Sequence, residues 1–215
     1  MKVLMINLPF AGHTNPTLPL ARELVRRGHE VSYVNAEEFR GRIEDTGASF
    51  IPYQDYPASP SEQEKKVKCF GAAFDTAMAL SDPFDLLIYE MFFYPGIEVA
   101  KRKKIPCLRQ FSQPAWSLET WKRAPAFFKL SGKLIDLQVL DKKTARRMGF
   151  EKSCLRDGIL GRKPYLNLVY VPEAFQSCRD SFDDSYLFMV PPLVQAKGGG
   201  EIPYEEMKYP ILYIS

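Results

Sequence analysis

Apolar residues come along this chain in short, dense runs separated by turn signals. Val3–Leu8 (VLMINL) is nearly continuous, as expected of a strand buried on both faces of a parallel sheet. Pro9, Gly12, Asn15 and Pro16 break it. Asn15 followed by Pro16 predicts a helix start, because Asn can cap free amides and Pro suits the first helical position. Leu18, Ala21, Leu24 and Val25 share one face of that helix, and Gly28 is a natural stop. Pro19, in its first turn, removes one amide donor at little cost. Val31–Val34 reads as the second strand, a polar helix over Glu37–Asp45 stops at Gly47, and Ser49–Tyr53 reads as the third strand. This is a βαβαβ unit with right-handed crossovers.

Residues 54–62 form a Pro/Ser loop before a helix over Lys65–Leu80 and a buried strand at Phe84–Tyr89. A helix over Phe93–Lys103 and a strand over Pro106–Phe111 follow. Residues 118–160 read as helical, basic and amphipathic, with Trp121, Phe127, Phe128, Leu130, Leu134, Leu137 and Leu140 as core candidates. Strand character returns at Tyr165–Val171 and Tyr186–Val190. Residues 195–209 are Gly-rich and charged like a linker, and 210–215 (PILYIS) resemble a strand just beginning. The fold class is therefore α/β: a Rossmann-like, doubly wound parallel sheet with flanking helices.

Composition narrows the classes. With 46% hydrophobic and 26% charged residues in 215, the chain suits a globular domain and excludes disorder or a collagen-like repeat. No run approaches the roughly 18 apolar residues of a membrane span, and the start lacks a cleavable leader pattern. Cys69, Cys107, Cys154 and Cys178 are scattered without metal-ligand spacing, which favours reduced thiols and a cytoplasmic setting.

Net charge is +3, unevenly spread. Residues 1–100 hold 9 Lys/Arg against 14 Asp/Glu, residues 101–170 hold 17 against 5, and residues 171–215 hold 3 against 7. The basic middle reads first as solvated helix faces and second as a peripheral membrane contact or a surface for an anionic partner. Aromatic interleaving typical of a nucleic-acid platform is missing, so nucleic acid is not expected.

Ligands of open parallel sheets bind beyond the C-terminal strand ends. Two such ends carry ionisable residues: His13, in the loop PFAGHTNP after the first strand, and Glu90, leaving the strand FDLLIY. A histidine there suits a general base, and a carboxylate can orient it and balance its charge. A turn histidine and a surface glutamate are the plainer alternatives, and His29 in RRGHE is of that kind. GxGxxG, GxxxxGK[ST], GxSxG and HExxH are all missing, which discounts dinucleotide, phosphate-loop, serine-hydrolase and zinc-protease chemistry. The helix start at Asn15 offers amides to an anion, with Gly12 as its one glycine for close approach.

The opening MKVLMINLPFAGHTNPTLPLARELVRRGHEVSYV closely resembles the N-terminal, acceptor-binding half of macrolide-type UDP-glycosyltransferases of the GT-B superfamily. GASFIPY, DLLIYEMFFYPGIEVAKRKKIPCLRQF and LNLVYVPEAFQSCRDSFDDSYLFMVPPL extend the resemblance over nearly the whole chain. It implies an inverting transfer from a nucleotide sugar, a UDP-sugar, to a hydroxyl of a small hydrophobic acceptor, a macrolide or a phenolic. His13 matches the family's base, and Glu90 a position usually filled by aspartate. Glu is longer by about 1.5 Å where productive geometry tolerates about 0.5 Å, so either the backbone compensates or the pair is weakened.

An aromatic acceptor pocket is expected among Phe10, Phe92, Phe93, Phe111 and Trp116, all of which would also suit a core. No cofactor is expected beyond the nucleotide-sugar co-substrate, and no metal. The segment between the third and fourth strands is shorter than the family leads one to expect.

The resemblance divides the chain into an acceptor domain at 1–194, a linker at 195–209 and the first strand of a missing donor domain at 210–215, so that the chain alone is expected to be inactive. The alternative is a stand-alone binding module, or the subunit of a split membrane-associated transferase whose partner is a separate donor-domain chain. A nucleotide-binding oxidoreductase is discounted by the missing glycine fingerprint.

Overall fold

The computed structural model describes residues 1–127, 129–130, 142–150 and 155–190. Seven strands form one sheet: β1 (Lys2–Ile6), β2 (Glu30–Asn35), β3 (Ser49–Pro52), β4 (Leu86–Glu90), β5 (Cys107–Phe111), β6 (Leu166–Val169) and β7 (Tyr186–Phe188). All neighbouring pairs are parallel, in the order β3-β2-β1-β4-β5-β6-β7. The apolar runs become the central strands because a parallel sheet covered on both sides leaves few positions for polar side chains. Val3, Leu4, Met5 and Ile6 are all buried for this reason.

Strand order runs outward from β1 through β2 to β3, then restarts on the other side of β1 with β4. That reversal opens a crevice at the C-terminal ends of β1 and β4.

Helices cover both faces. Val3, Met5 and Ile88 meet Ala21 of α2 (Leu18–Arg26) and Ile43 of α3 (Arg40–Glu44) in one core cluster. Leu4, Ile6, Leu87 and Tyr89 meet Phe70 and Phe74 of α4 (Glu62–Ala79) and Val99 of α5 (Gly96–Lys103) in the other. Gly96 lets α5 start close to β4, since a Cβ there would lie 2.4 Å from Tyr89 Cγ. Helix α4 begins at a reciprocal cap in which Ser61 and Glu64 satisfy each other's backbone amides.

Three expectations are corrected. The first helical run begins before Asn15, at α1 (Ala11–Thr14), and continues through a 3₁₀ turn at Asn15–Thr17 into α2. Asn15 has helical backbone angles and its amide donates to the Ala11 carbonyl, so it offers no free helix start to an anion. Phe127 and Leu130 are 73% and 58% exposed and are not core. The helix foreseen over Glu37–Asp45 splits into a 3₁₀ turn (Glu37–Phe39) and α3.

The basic stretch contains three more described helices: α6 (Leu118–Arg123), α7 (Lys142–Arg147) and α8 (Leu155–Leu160). The expectations for Phe128, Leu134, Leu137, Leu140, Cys154 and residues 195–215 lie outside the described residues.

Several of the block's cations have partners inside the domain. Arg102 and Arg162 clasp Glu98 at 2.9 and 3.0 Å, and Arg147 reaches Asp75 at 2.9 Å. Arg109 is 1% exposed, donating to Asn167 Oδ1 at 2.8 Å and to the Ile159 carbonyl at 2.5 Å. It ties β5 to β6 and places its charge at the C-terminal end of α8, where helix carbonyls favour a cation.

Candidate active site

The site is built on the crevice between β1 and β4. Beyond β1 the chain is held from below by buried polar side chains. Asn7 Nδ2 donates to the His13 carbonyl at 3.0 Å and to Thr17 Oγ1 at 2.9 Å. Thr14 Oγ1 donates to the Leu8 carbonyl at 3.1 Å and accepts from Asn35 Nδ2 at 2.9 Å. The Tyr33 hydroxyl lies 2.6 Å from Thr17 Oγ1, and the Tyr53 hydroxyl donates to the Asn7 carbonyl. His13 therefore projects from a helical turn whose backbone is fixed at several points, and not from a free loop.

Glu90 ends β4 and is fully buried. Its Oε2 lies 3.0 Å from His13 Nδ1 and accepts the Phe92 amide at 3.0 Å. A buried carboxylate on Nδ1 calls for the proton on that nitrogen, which leaves Nε2 with the lone pair. The longer side chain of glutamate therefore closes the contact fully. Burial pulls the His13 pKa down, but the charge of Glu90 and its hydrogen bond outweigh it, so His13 titrates above its ordinary 6.5.

The imidazole is flanked by Phe10 at 5.4 Å and Phe92 at 4.9 Å between ring centres. Phe92 meets Trp116 edge-on at 6.0 Å, and Trp116 meets Trp121 at 5.5 Å. Trp116 and Trp121 in turn line a cleft of about 550 Å³ together with Gln113, Thr120, Pro125 and Cys178. Two loops far apart in sequence shape it. Gln176 joins them, accepting the Ala115 amide at 2.8 Å and donating to the Ala115 carbonyl at 3.1 Å. An aromatic path thus leads from His13 into a mostly apolar cleft, of the kind that holds small organic molecules.

Of the aromatic candidates, Phe10, Phe92 and Trp116 are half-buried along this path. Phe93 and Phe111 are fully buried in the core cluster against which Phe10, Phe92 and Trp116 pack, and neither lines the cleft, a correction to the sequence reading. Gly12 is exposed in open space, while Asn15 holds Arg42 through its Oδ1 at 3.1 Å.

Sequence reading missed the role of Trp121, which it placed in the core, and those of Gln176 and Cys178. A capped helix start at Ser117, paired with Thr120, is the one local sign that Trp121 is presented by a short surface helix. Among the described residues no group of three His, Cys, Asp or Glu is arranged to hold a metal, and no helix is long and apolar enough to cross a membrane.

No protein-family model matches the chain. An NDP-glycosyltransferase, YjiC of Bacillus subtilis (strain 168), is 25% identical over 98% of this chain and 56% of its own length. The demethyllactenocin mycarosyltransferase of Streptomyces fradiae is 27% identical over 97% of the chain and 50% of its own. The relatives of this chain are glycosyltransferases. Solved glycosyltransferase structures share the fold: that of kitacinnamycin superposes with a TM-score of 0.72 at 24% identity, covering 94% of this chain and 55% of its own. The calicheamicin glycosyltransferase CalG4 gives 0.66 at 24% identity, with the same coverage. The chain spans about half the length of the curated glycosyltransferases it matches.

Proposed function

We propose that this chain is the acceptor-binding part of an inverting glycosyltransferase that moves a sugar from a UDP-sugar to a hydroxyl of a small hydrophobic acceptor. The observation that carries the reading is the contact of His13 Nδ1 with the buried Glu90 carboxylate, which leaves the lone pair on Nε2 of an imidazole flanked by Phe10 and Phe92. As the acceptor oxygen bonds to the anomeric carbon, its proton passes to Nε2. The bond from that carbon to the phosphate oxygen breaks, and the nucleoside diphosphate leaves with the electron pair. Glu90 stabilises the imidazolium without taking the proton itself. Phe92 and Trp116 exclude water and hold the acceptor through its apolar body.

Donor contacts are assigned to a second domain. Without it the differential stabilisation of the transition state is incomplete, and the chain alone binds acceptor but does not turn over. The test is sugar transfer from a UDP-sugar to a phenolic or macrolide acceptor. The domain joined to its donor domain is expected to lose activity about 10²-fold or more on His13→Ala. Retention of most of the rate would refute the base assignment, and robust turnover by the 215-residue chain alone would refute the division of labour.

A further inference from the structure

Glu90 does not end at its contact with His13. Ile6 pairs with Tyr89 and Glu90 pairs with Gln110, so Asn7, Glu90 and Gln110 form one row across β1, β4 and β5. Alternation along the strands puts the row on the face shared by Met5, Ile88 and Leu108, above which α1 carries His13. All three side chains are fully buried. Among the described residues each has one polar atom without a partner: Asn7 Oδ1, Glu90 Oε1 and Gln110 Nε2. Gln110 supplies the donor, and the other two are acceptors. The Tyr170 hydroxyl donates to Gln110 Oε1, and the carboxylate on the adjacent strand favours this orientation of the amide, with Nε2 as its free end. A buried N–H beside a buried carboxylate oxygen on the adjacent strand is drawn to the charge, since an unmet donor in the interior is costly.

We infer that Gln110, held by Tyr170, is a positioning residue for the His13–Glu90 pair, serving Glu90 Oε1 through one shared water. Its N–H takes up part of the carboxylate charge at the far oxygen and so tempers the pull of Oε2 on the imidazolium proton. This rests on the reading of His13 as the base, but it is tested without any transfer reaction. A failure here is thus distinguishable from retained activity in His13→Ala.

The chain has only two histidines, so the Hε1 titration of His13 can be followed by NMR with His29 as an internal control. The other titratable groups facing this layer are Tyr33, Tyr53 and Tyr170, whose burial pushes their phenols upward and keeps them neutral throughout. Gln110→Leu removes the donor at similar volume. With fewer donors the carboxylate competes harder for the imidazolium proton, and the His13 midpoint is expected to rise by about 0.5, a threefold gain in proton affinity. The same substitution in a Glu90→Gln background is expected to leave the midpoint unchanged. An unchanged or lowered midpoint in the single variant, or an equal rise with Glu90 replaced, overturns the proposal. Signal dispersion reports that the variant is folded, and Gln110→Met replaces Gln110→Leu where it is lost.

Discussion

Replacing Glu90 by Gln keeps the shape of the side chain and removes its charge, and the result is expected to invert the titration of His13. Two opposed effects act on that imidazole. Burial lowers its pKa, while the Glu90 charge and hydrogen bond raise it and prevail. The contact is 3.0 Å long and the carboxylate is fully buried, whereas the His13 side chain is 24% exposed. A hydrogen bond to a charged group contributes about 1.5–3 kcal/mol, and about 1.4 kcal/mol corresponds to one pH unit. Allowing for the exposed edge of the ring, Glu90→Gln should lower the His13 midpoint by roughly one unit, from above 6.5 to below it, because only burial then remains.

Stability follows with a definite sign. In the native protein the pair's contribution is complete below a pH of about 6.5 and is lost as pH rises through the raised folded midpoint. In Glu90→Gln the histidine contributes above its unfolded value instead and weakens the fold as pH falls. Urea unfolding between pH 5.5 and 8.5, beside the NMR titration, reads both effects. A His13 midpoint in Glu90→Gln that stays above 6.5 would refute the view that Glu90 is what holds this proton.

Glu90→Asp draws the carboxylate back by about one C–C bond and should lower the His13 midpoint part of the way toward the Gln variant, since the glutamate already reaches at 3.0 Å; an unchanged midpoint would show that the backbone follows the shorter side chain. Both tryptophans of the sequence line the aromatic cleft, so intrinsic fluorescence should respond saturably to a phenolic or macrolide acceptor, with Trp116→Phe and Trp121→Phe each removing part of the signal; a flat titration at millimolar acceptor would count against the cleft. Gln176→Ala strands the Ala115 amide and carbonyl and should cost about 2–3 kcal/mol in urea unfolding while weakening acceptor binding. Ser61→Ala should cost about 1 kcal/mol through the lost cap of α4 and leave acceptor binding intact.

The strands were readable in the sequence because burial on both faces forces long apolar runs, and only their ends shifted by a residue or two. His13 and Glu90 were readable because each follows such a run, and chain order alone places both near the C-terminal edge of the sheet. What escaped depends on direction and distance. Phe92 and Phe93 are neighbours of the same chemistry, yet one faces the imidazole and the other the core, and no local pattern separates them. Trp121 was placed inside because a helical stretch of aromatics resembles a core face. Gln176 is invisible as a site residue because its partner Ala115 lies 61 positions away. Asn15 misled because Asn-Pro is a good opening for a helix, whereas here the helical run had already begun at Ala11.

His13 rides on a helix whose own backbone is held by Asn7, Thr14 and Thr17, and its ring is locked to a strand end. If His13 is the base proposed above, it has almost no freedom to follow a substrate. On the proposed function, which hydroxyl of a polyhydroxylated acceptor receives the sugar would then be decided by how the molecule seats against Trp116 and Trp121, and regiochemistry would be a property of the aromatic wall. Variants that reshape this wall should redirect the linkage position while leaving the proton-transfer step as fast as before.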